Sequence, residues 1–323
     1  MEDLGTPSPA PKSSMPSPRS QVIFFGPNGF RAGWSALLFV SLFLIAMFSL
    51  SAAMGLLAKH LHLHLSGLRG GELSPSTGLL SEAILLAATL LATLVMARME
   101  HRPMLAYGLS GTGRLRHFVV GLLTGFGFMS LLIGILVATH HLRLEATPSD
   151  APTLAHSMLA RTTFWRYAAL WGCVCLLVGF AEELLLRGYL LFTLARGLRF
   201  WPAAILLAVL FGALHKSNPG ESPFGLVAAA GAALLFSLSL RRIGSLWWAI
   251  GFHATWDWAE SYFYGTPDSG ILSQGRQMTA HPIGSVWWSG GATGPEGSLW
   301  CLLVLALAAL WVLVTQRNVS TDF

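Results

Sequence analysis

Apolar residues run through this chain in long blocks rather than in amphipathic stripes. A membrane span needs about 20 largely apolar residues. Such blocks occur at 34–57, 79–98, 117–139, 167–195, 201–216, 222–240, 245–263 and 299–316, the fifth being short and ending at His215-Lys216. The pattern predicts an all-α fold, a polytopic transmembrane helical bundle of about eight spans occupying residues 31–323. Ahead of the first block, Thr6 to Pro18 is dominated by Pro and Ser. Such a composition cannot bury enough apolar surface to fold, so residues 1–30 are expected to be a disordered tail. The tail lacks the basic start and short apolar core of a cleaved signal peptide, which leaves the block from Trp34 as a signal anchor.

Composition agrees. The 323 residues are 54% hydrophobic and 11% charged, with mean hydropathy +0.60, where soluble domains carry about 25% charged residues. The net charge of +5 is scattered over the segments between blocks, which fits a membrane face and excludes nucleic acid as the expected partner. Eight spans place both termini on one side. Lys and Arg in the connecting segments favour a cytoplasmic N-terminus by roughly two to one, and the expected site is the inner membrane of a bacterium. Cys173, Cys175 and Cys301 all lie in apolar blocks and read as packing residues. His60, His62 and His64, two apart, point to different sides of a helix and read as an interfacial segment rather than a metal site. The long segment 264–298 is expected to be a loop, with Trp287-Trp288 either in an interfacial belt or on a surface that skirts the bilayer.

A few ionisable residues break the apolar blocks. Glu182, Glu183 and Arg187 fall within one, and an ionisable group near the bilayer centre costs at least ~2.5–3.5 kcal/mol. Glu183 and Arg187 are four apart and suit an ion pair; Glu182 points about 100° away around the helix. His215, His253 and Asp257 are also embedded, and the last two share one helix face. Counted from the connecting turns at ~1.5 Å per residue, these groups from three helices occupy one slab of the membrane. A purely structural set of pairs, or a proton relay of the kind transporters use, would draw on the same residue types. The absence of an internal repeat argues mildly against a transporter.

Several chemistries compete for these residues. No Ser–His–Asp or Ser–Lys arrangement is evident, although spacing leaves Ser217, Ser237, Ser239 and Ser261 open. Cys175 shares a helix face with Glu182, but no basic group is placed to make it a thiolate. Zinc would have to take ligands from separate helices: Glu182 or Glu183, His215, His253 and Asp257. Without a metal, a carboxylate and an imidazole at one height can take a proton from a water attacking a carbonyl, while a second His with its neighbour serves the oxyanion.

Glu182-Glu183-Leu-Leu-Leu-Arg187, Phe211-Gly-Ala-Leu-His215 and His253-Ala-Thr-Trp-Asp257 match, in order, the EExxxR, FxxxH and HxxxN/D motifs. The chain thereby resembles the CPBP family of CAAX proteases and bacteriocin-processing enzymes, also called the Abi family, over a core of about 165–263. The resemblance implies a glutamate intramembrane endopeptidase similar to the type II CAAX prenyl endopeptidase, acting on a peptide or protein substrate with no cofactor. Glu182 and His215 would activate water, His253 and Asp257 would stabilise the oxyanion, and Glu183 and Arg187 would hold the site. The eukaryotic enzymes have Asn at the Asp257 position, and a carboxylate donates to an oxyanion only when protonated. The alternatives are a metal-dependent protease using zinc and a non-catalytic membrane protein that binds a peptide.

Overall fold

A computed structural model describes residues 25–26, 29–61, 71–146 and 154–316. Most of the expected tail, and His62 and His64, lie outside them. The two described pieces of the tail, β1 (Phe25–Gly26) and β2 (Gly29–Phe30), pair antiparallel. Helix α1 (Ala32–His60), β3 (Glu72–Leu73), α2 (Pro75–Met99), α3 (Arg114–Ala138), β4 (Leu142–Ala146) and α4 (Leu154–Glu183) follow. A π-helical segment (Leu184–Leu190) joins α4 to α5 (Leu191–Leu198), with the backbone leaving helical geometry at Gly188 (φ −79°, ψ −115°). Then come α6 (Phe200–Leu214), α7 (Pro223–Ile243) and α8 (Trp247–Asp257), the last continued by a second π segment (Trp258–Phe263). Strands β5 (Leu272–Ser273) and β6 (Met278–Pro282), a short helix α9 (Val286–Ser289) and α10 (Leu299–Thr315) complete the chain.

Six of these stretches are long and apolar enough to cross a membrane: Ala32–His60, Pro75–Met99, Arg114–Ala138, Thr163–Leu198, Phe200–Ser217 and Pro223–Ile243. The last two expected spans are shorter, α10 with 17 residues and α8 with 11 before its π segment. The protein is an all-α polytopic bundle, and its outer apolar side chains, Phe48 and Leu123 among them, stay exposed on the protein, as lipid-facing residues do.

Local chemistry sets the boundaries. Pro75 and Pro223 open their helices at positions whose N–H needs no partner. Ser74 Oγ accepts from the Thr77 N–H at 3.2 Å, Ser222 Oγ from Gly225 at 3.1 Å and Ser298 Oγ from Cys301 at 3.2 Å, each satisfying one orphan donor. The turn between α5 and α6 falls at Arg199 (φ 67°, ψ 164°), between the fourth and fifth apolar blocks.

Packing centres on α8. One apolar cluster gathers Phe39, Tyr189, Leu191, Phe200, Phe211 and Leu246; a second gathers Leu132, Phe236, Trp248, Phe252, Trp256 and Val304. Helix α3 presses directly on α8: a Cβ on Gly121 would run into the Trp248 carbonyl, one on Gly125 into the Phe252 carbonyl, and one on Gly251 into the Phe118 carbonyl. Three glycines therefore let two backbones touch, the small-residue contact favoured between membrane helices. Thr255 Oγ donates across the contact to the Leu122 carbonyl at 2.7 Å.

The 264–298 segment is more structured than a loop skirting the bilayer. β6 pairs antiparallel with β4, Leu142 opposite Pro282 through Ala146 opposite Met278, and β5 pairs parallel with β3. The strands tie the segment to the ends of α2 and α3. Trp287 and Trp288 stand on α9, 53% and 41% exposed.

Candidate active site

The α4–π junction delivers the two adjacent carboxylates to different environments. Glu183 is fully buried, and Arg187 Nη1 donates to its Oε1 at 3.0 Å, the four-residue pair expected from spacing. The Arg187 guanidinium lies over the Phe211 ring at 4.8 Å and the Phe236 ring at 5.6 Å, so two aromatic faces replace part of its hydration. The Glu182 side chain keeps 26% exposure and faces a cavity.

Glu183 does more than the sequence suggested. Its Oε1 also lies 3.2 Å from His253 Nδ1. A carboxylate only accepts, so Nδ1 carries the proton and the ring is fixed. His253 Nε2 then stands 3.7 Å from Glu182 Oε2 and 3.6 Å from Asp257 Oδ2, and the ring stacks on Phe236 at 5.2 Å between centroids. One buried imidazole thus joins all three motif carboxylates.

His215 caps the C-terminal end of α6 and opens a short 3₁₀ turn. Its Nδ1 is 2.8 Å from the Phe211 carbonyl. A carbonyl has no proton to give, so Nδ1–H is the donor and the neutral ring keeps its lone pair on Nε2.

Glu182, His215, His253 and Asp257 all line one cavity of about 200 Å³. The structure brings together the four residues expected to do chemistry and sets Glu183 and Arg187 behind them. Apolar walls come from Val178, Phe211, Phe236 and Phe252. Cys175 and Ser261 also reach the wall, and Ser261 Oγ is already committed to the Asp257 carbonyl at 2.7 Å.

Sequence reasoning missed Glu82, Asp268 and Glu296, which line the same cavity. Glu82 comes from α2; Asp268 and Glu296 come from the capping segment 264–298. Burial, reinforced by the charges of Asp257 and Glu296, holds the Asp268 carboxyl well above its usual range. Glu221, at the mouth of α7, is also raised, by burial first and with Glu296 adding to it.

Carboxylates and imidazoles thus gather at one cavity of a polytopic bundle, and one family of membrane proteins is similar to the chain over this region. Residues 164–259 match the family described as type II CAAX prenyl endopeptidase Rce1-like, a stretch that holds all three motifs. Over this stretch the chain is similar to a family of CAAX proteases, and its long apolar helices mark it as an integral membrane protein. No curated protein and no solved structure matches the chain.

Proposed function

We propose that the protein is a glutamate intramembrane endopeptidase that hydrolyses a peptide bond with water activated by Glu182 and His215. The observation that carries this reading is the shared cavity: Glu182, His215, His253 and Asp257 all line it, among apolar walls. His215 Nε2 and the cavity-facing Glu182 carboxylate are the acceptors able to take a water proton as its oxygen attacks the scissile carbonyl. The carbonyl oxygen becomes an oxyanion, for which the Nε2–H of a His253 ring protonated on both nitrogens is the donor turned toward the cavity. Asp257 and Glu183 hold that ring from either side. Collapse of the tetrahedral adduct breaks the C–N bond, and the abstracted proton passes to the leaving amine.

The distances favour a holding role for Asp257 over direct donation to the oxyanion, since its Oδ2 faces the His253 nitrogen at 3.6 Å. This also accounts for Asp where the eukaryotic enzymes carry Asn. The metal-dependent reading gains less from the geometry: the convergent group of possible metal ligands among the described residues is Glu260, Asp268 and Glu296, not the motif residues.

The test is peptide cleavage by purified protein. Glu182→Ala and His215→Ala are expected to abolish turnover while wild type works in the presence of chelator. Wild-type rates in both variants would overturn the proposal. Loss of activity in chelator with return on stoichiometric zinc would favour the metal enzyme, and undiminished peptide binding with no cleavage by wild type would favour a binding protein. Membranes from cells carrying Glu182→Gln should accumulate the uncleaved substrate, which identifies it.

A further inference from the structure

Where the capping segment meets the end of α8, three carboxylates outside the motifs converge. Glu260 comes from the π segment, Asp268 from the following loop and Glu296 from a 3₁₀ turn at Pro295–Gly297. One oxygen of each lies within 4.8 Å of the others. Glu260 is fully buried, and neither of its carboxylate oxygens has a hydrogen-bond partner among the described residues. Glu296 is held by two neutral donors, its Oε1 accepting from Trp256 Nε1 at 2.8 Å and its Oε2 from Ser269 Oγ at 3.0 Å. None of the ion pairs among the described residues involves any of the three.

The roof over Glu260 is bare backbone. Gly294 adopts φ 105°, which side-chain-bearing residues rarely reach, and a Cβ there would collide with the Pro267 carbonyl and stand 3.3 Å from Glu260 Oε1.

We infer that Glu260, Asp268 and Glu296 form an oxygen-ligand site for a divalent cation of the calcium type, separate from the Glu/His machinery. Buried carboxylates this close repel one another unless protons or a cation intervene. A shared proton would draw two carboxyl oxygens to ~2.5–2.7 Å, and Glu260 makes no such bond. Oxygens on one Ca²⁺ at ~2.3–2.6 Å can stand up to ~4.6–5.2 Å apart, whereas those on Mg²⁺ at ~2.0–2.1 Å reach only ~4.0–4.2 Å. Three oxygens all within 4.8 Å of one another fit inside the shell of the larger ion. A donor set of oxygen alone selects a hard cation over zinc or copper.

The bound ion would fasten the capping segment to the helix that carries His253 and Asp257. Because Asp268 and Glu296 also line the cavity, it would fix one wall of the active site without entering the reaction.

The experiment is Ca²⁺ titration of the full-length protein, purified in detergent and stripped with EGTA, read by calorimetry and by thermal unfolding. One saturable site per chain and a higher Tm with Ca²⁺ are expected. Glu260→Gln and Asp268→Asn should each weaken Ca²⁺ affinity at least ~10-fold, while Glu182→Gln should leave it unchanged. Absence of saturable binding by wild type overturns the inference, as does wild-type affinity in both cluster variants. Loss of Ca²⁺ binding in Glu182→Gln alone also overturns it, because the ion would then sit in the catalytic cavity. If Glu260→Gln does not fold, the wild-type titration and Asp268→Asn decide the matter. Failure of this site leaves the water-activation reading standing, since the two draw on different residues.

Discussion

Glu183 Oε1 receives both Arg187 Nη1, at 3.0 Å, and His253 Nδ1, at 3.2 Å. A single buried oxygen therefore anchors the cation that balances its charge and the imidazole that faces the cavity. The ion pair expected from four-residue spacing is also the fixture that orients the His253 ring.

Breaking this junction should be costly. Arg187→Met leaves an uncompensated buried carboxylate and is expected to destabilise the protein by about 3–5 kcal/mol. The double variant Arg187→Met with Glu183→Gln should recover part of that loss. Thermal unfolding in detergent gives the comparison; a single variant as stable as wild type would show that the pair contributes nothing.

Glu182→Gln should behave in the opposite way. Its side chain is 26% exposed to the cavity, so stability should scarcely change. Removal of a general base typically costs 10²–10⁴-fold in rate, and a loss of about that size in kcat is expected with Tm unaltered. His215→Asn should lose a similar factor. Unfolding of Glu182→Gln, rather than slow turnover, would mark it as a structural residue.

The α3–α8 contact makes a packing prediction. Gly125→Leu must push a side chain into the Phe252 carbonyl and the Thr255 hydroxyl, and overpacking of this kind costs typically about 1–3 kcal/mol. Since α8 carries His253 and Asp257, activity should fall along with Tm. Gly127→Leu, on the same helix with open space at its Cβ, should be tolerated and serves as the control.

Acid sensitivity can be traced to Glu100, which follows the end of α2. Tyr189 and Arg196 bond its Oε1 at 2.6 and 2.9 Å, and Tyr107 its Oε2 at 2.9 Å. Burial raises its pKa, but the bonds from Tyr189, Arg196 and Tyr107 outweigh burial and leave it below the ordinary carboxylate range. A depressed folded value means the contribution is complete above the unfolded pKa of about 4.3 and is lost as pH falls through the lower folded value. Glu100→Gln should be less stable than wild type at neutral pH, and the two should converge in acid. Parallel stability curves would show that Glu100 contributes no linkage.

The motif residues were readable in the sequence because each stands out against an apolar run. Spacing alone gave the Glu183–Arg187 pair and the separate direction of Glu182. It did not give Glu183 to His253, because that contact crosses from α4 to α8 and depends on how close Gly179 lets the two helices come, a Cβ there meeting the Ile250 carbonyl at 2.9 Å. Glu82 and Glu260 carried the same signal as Glu182, a carboxylate inside an expected span, and could have been found by it. Asp268 and Glu296 had no such mark, since an acidic residue in a polar connecting segment is unremarkable. Their place in the cavity wall follows from the β3–β5 and β4–β6 pairings, which are long-range and leave only weak local patterns.

The π-helical segment Leu184–Leu190 bears on what this chain can tolerate in the way of insertions and deletions. A π turn behaves as one extra residue accommodated in an α-helix, so everything beyond it is rotated relative to simple counting. Glu182 and Glu183 lie before this offset; of the pair that grips Glu100, Tyr189 stands at its far end and Arg196 beyond it. Shortening the segment by one residue would preserve either the cavity end or the Glu100 end in register, but not both. The length of this stretch, more than the identity of its leucines, should be what homologous chains of working enzyme hold constant.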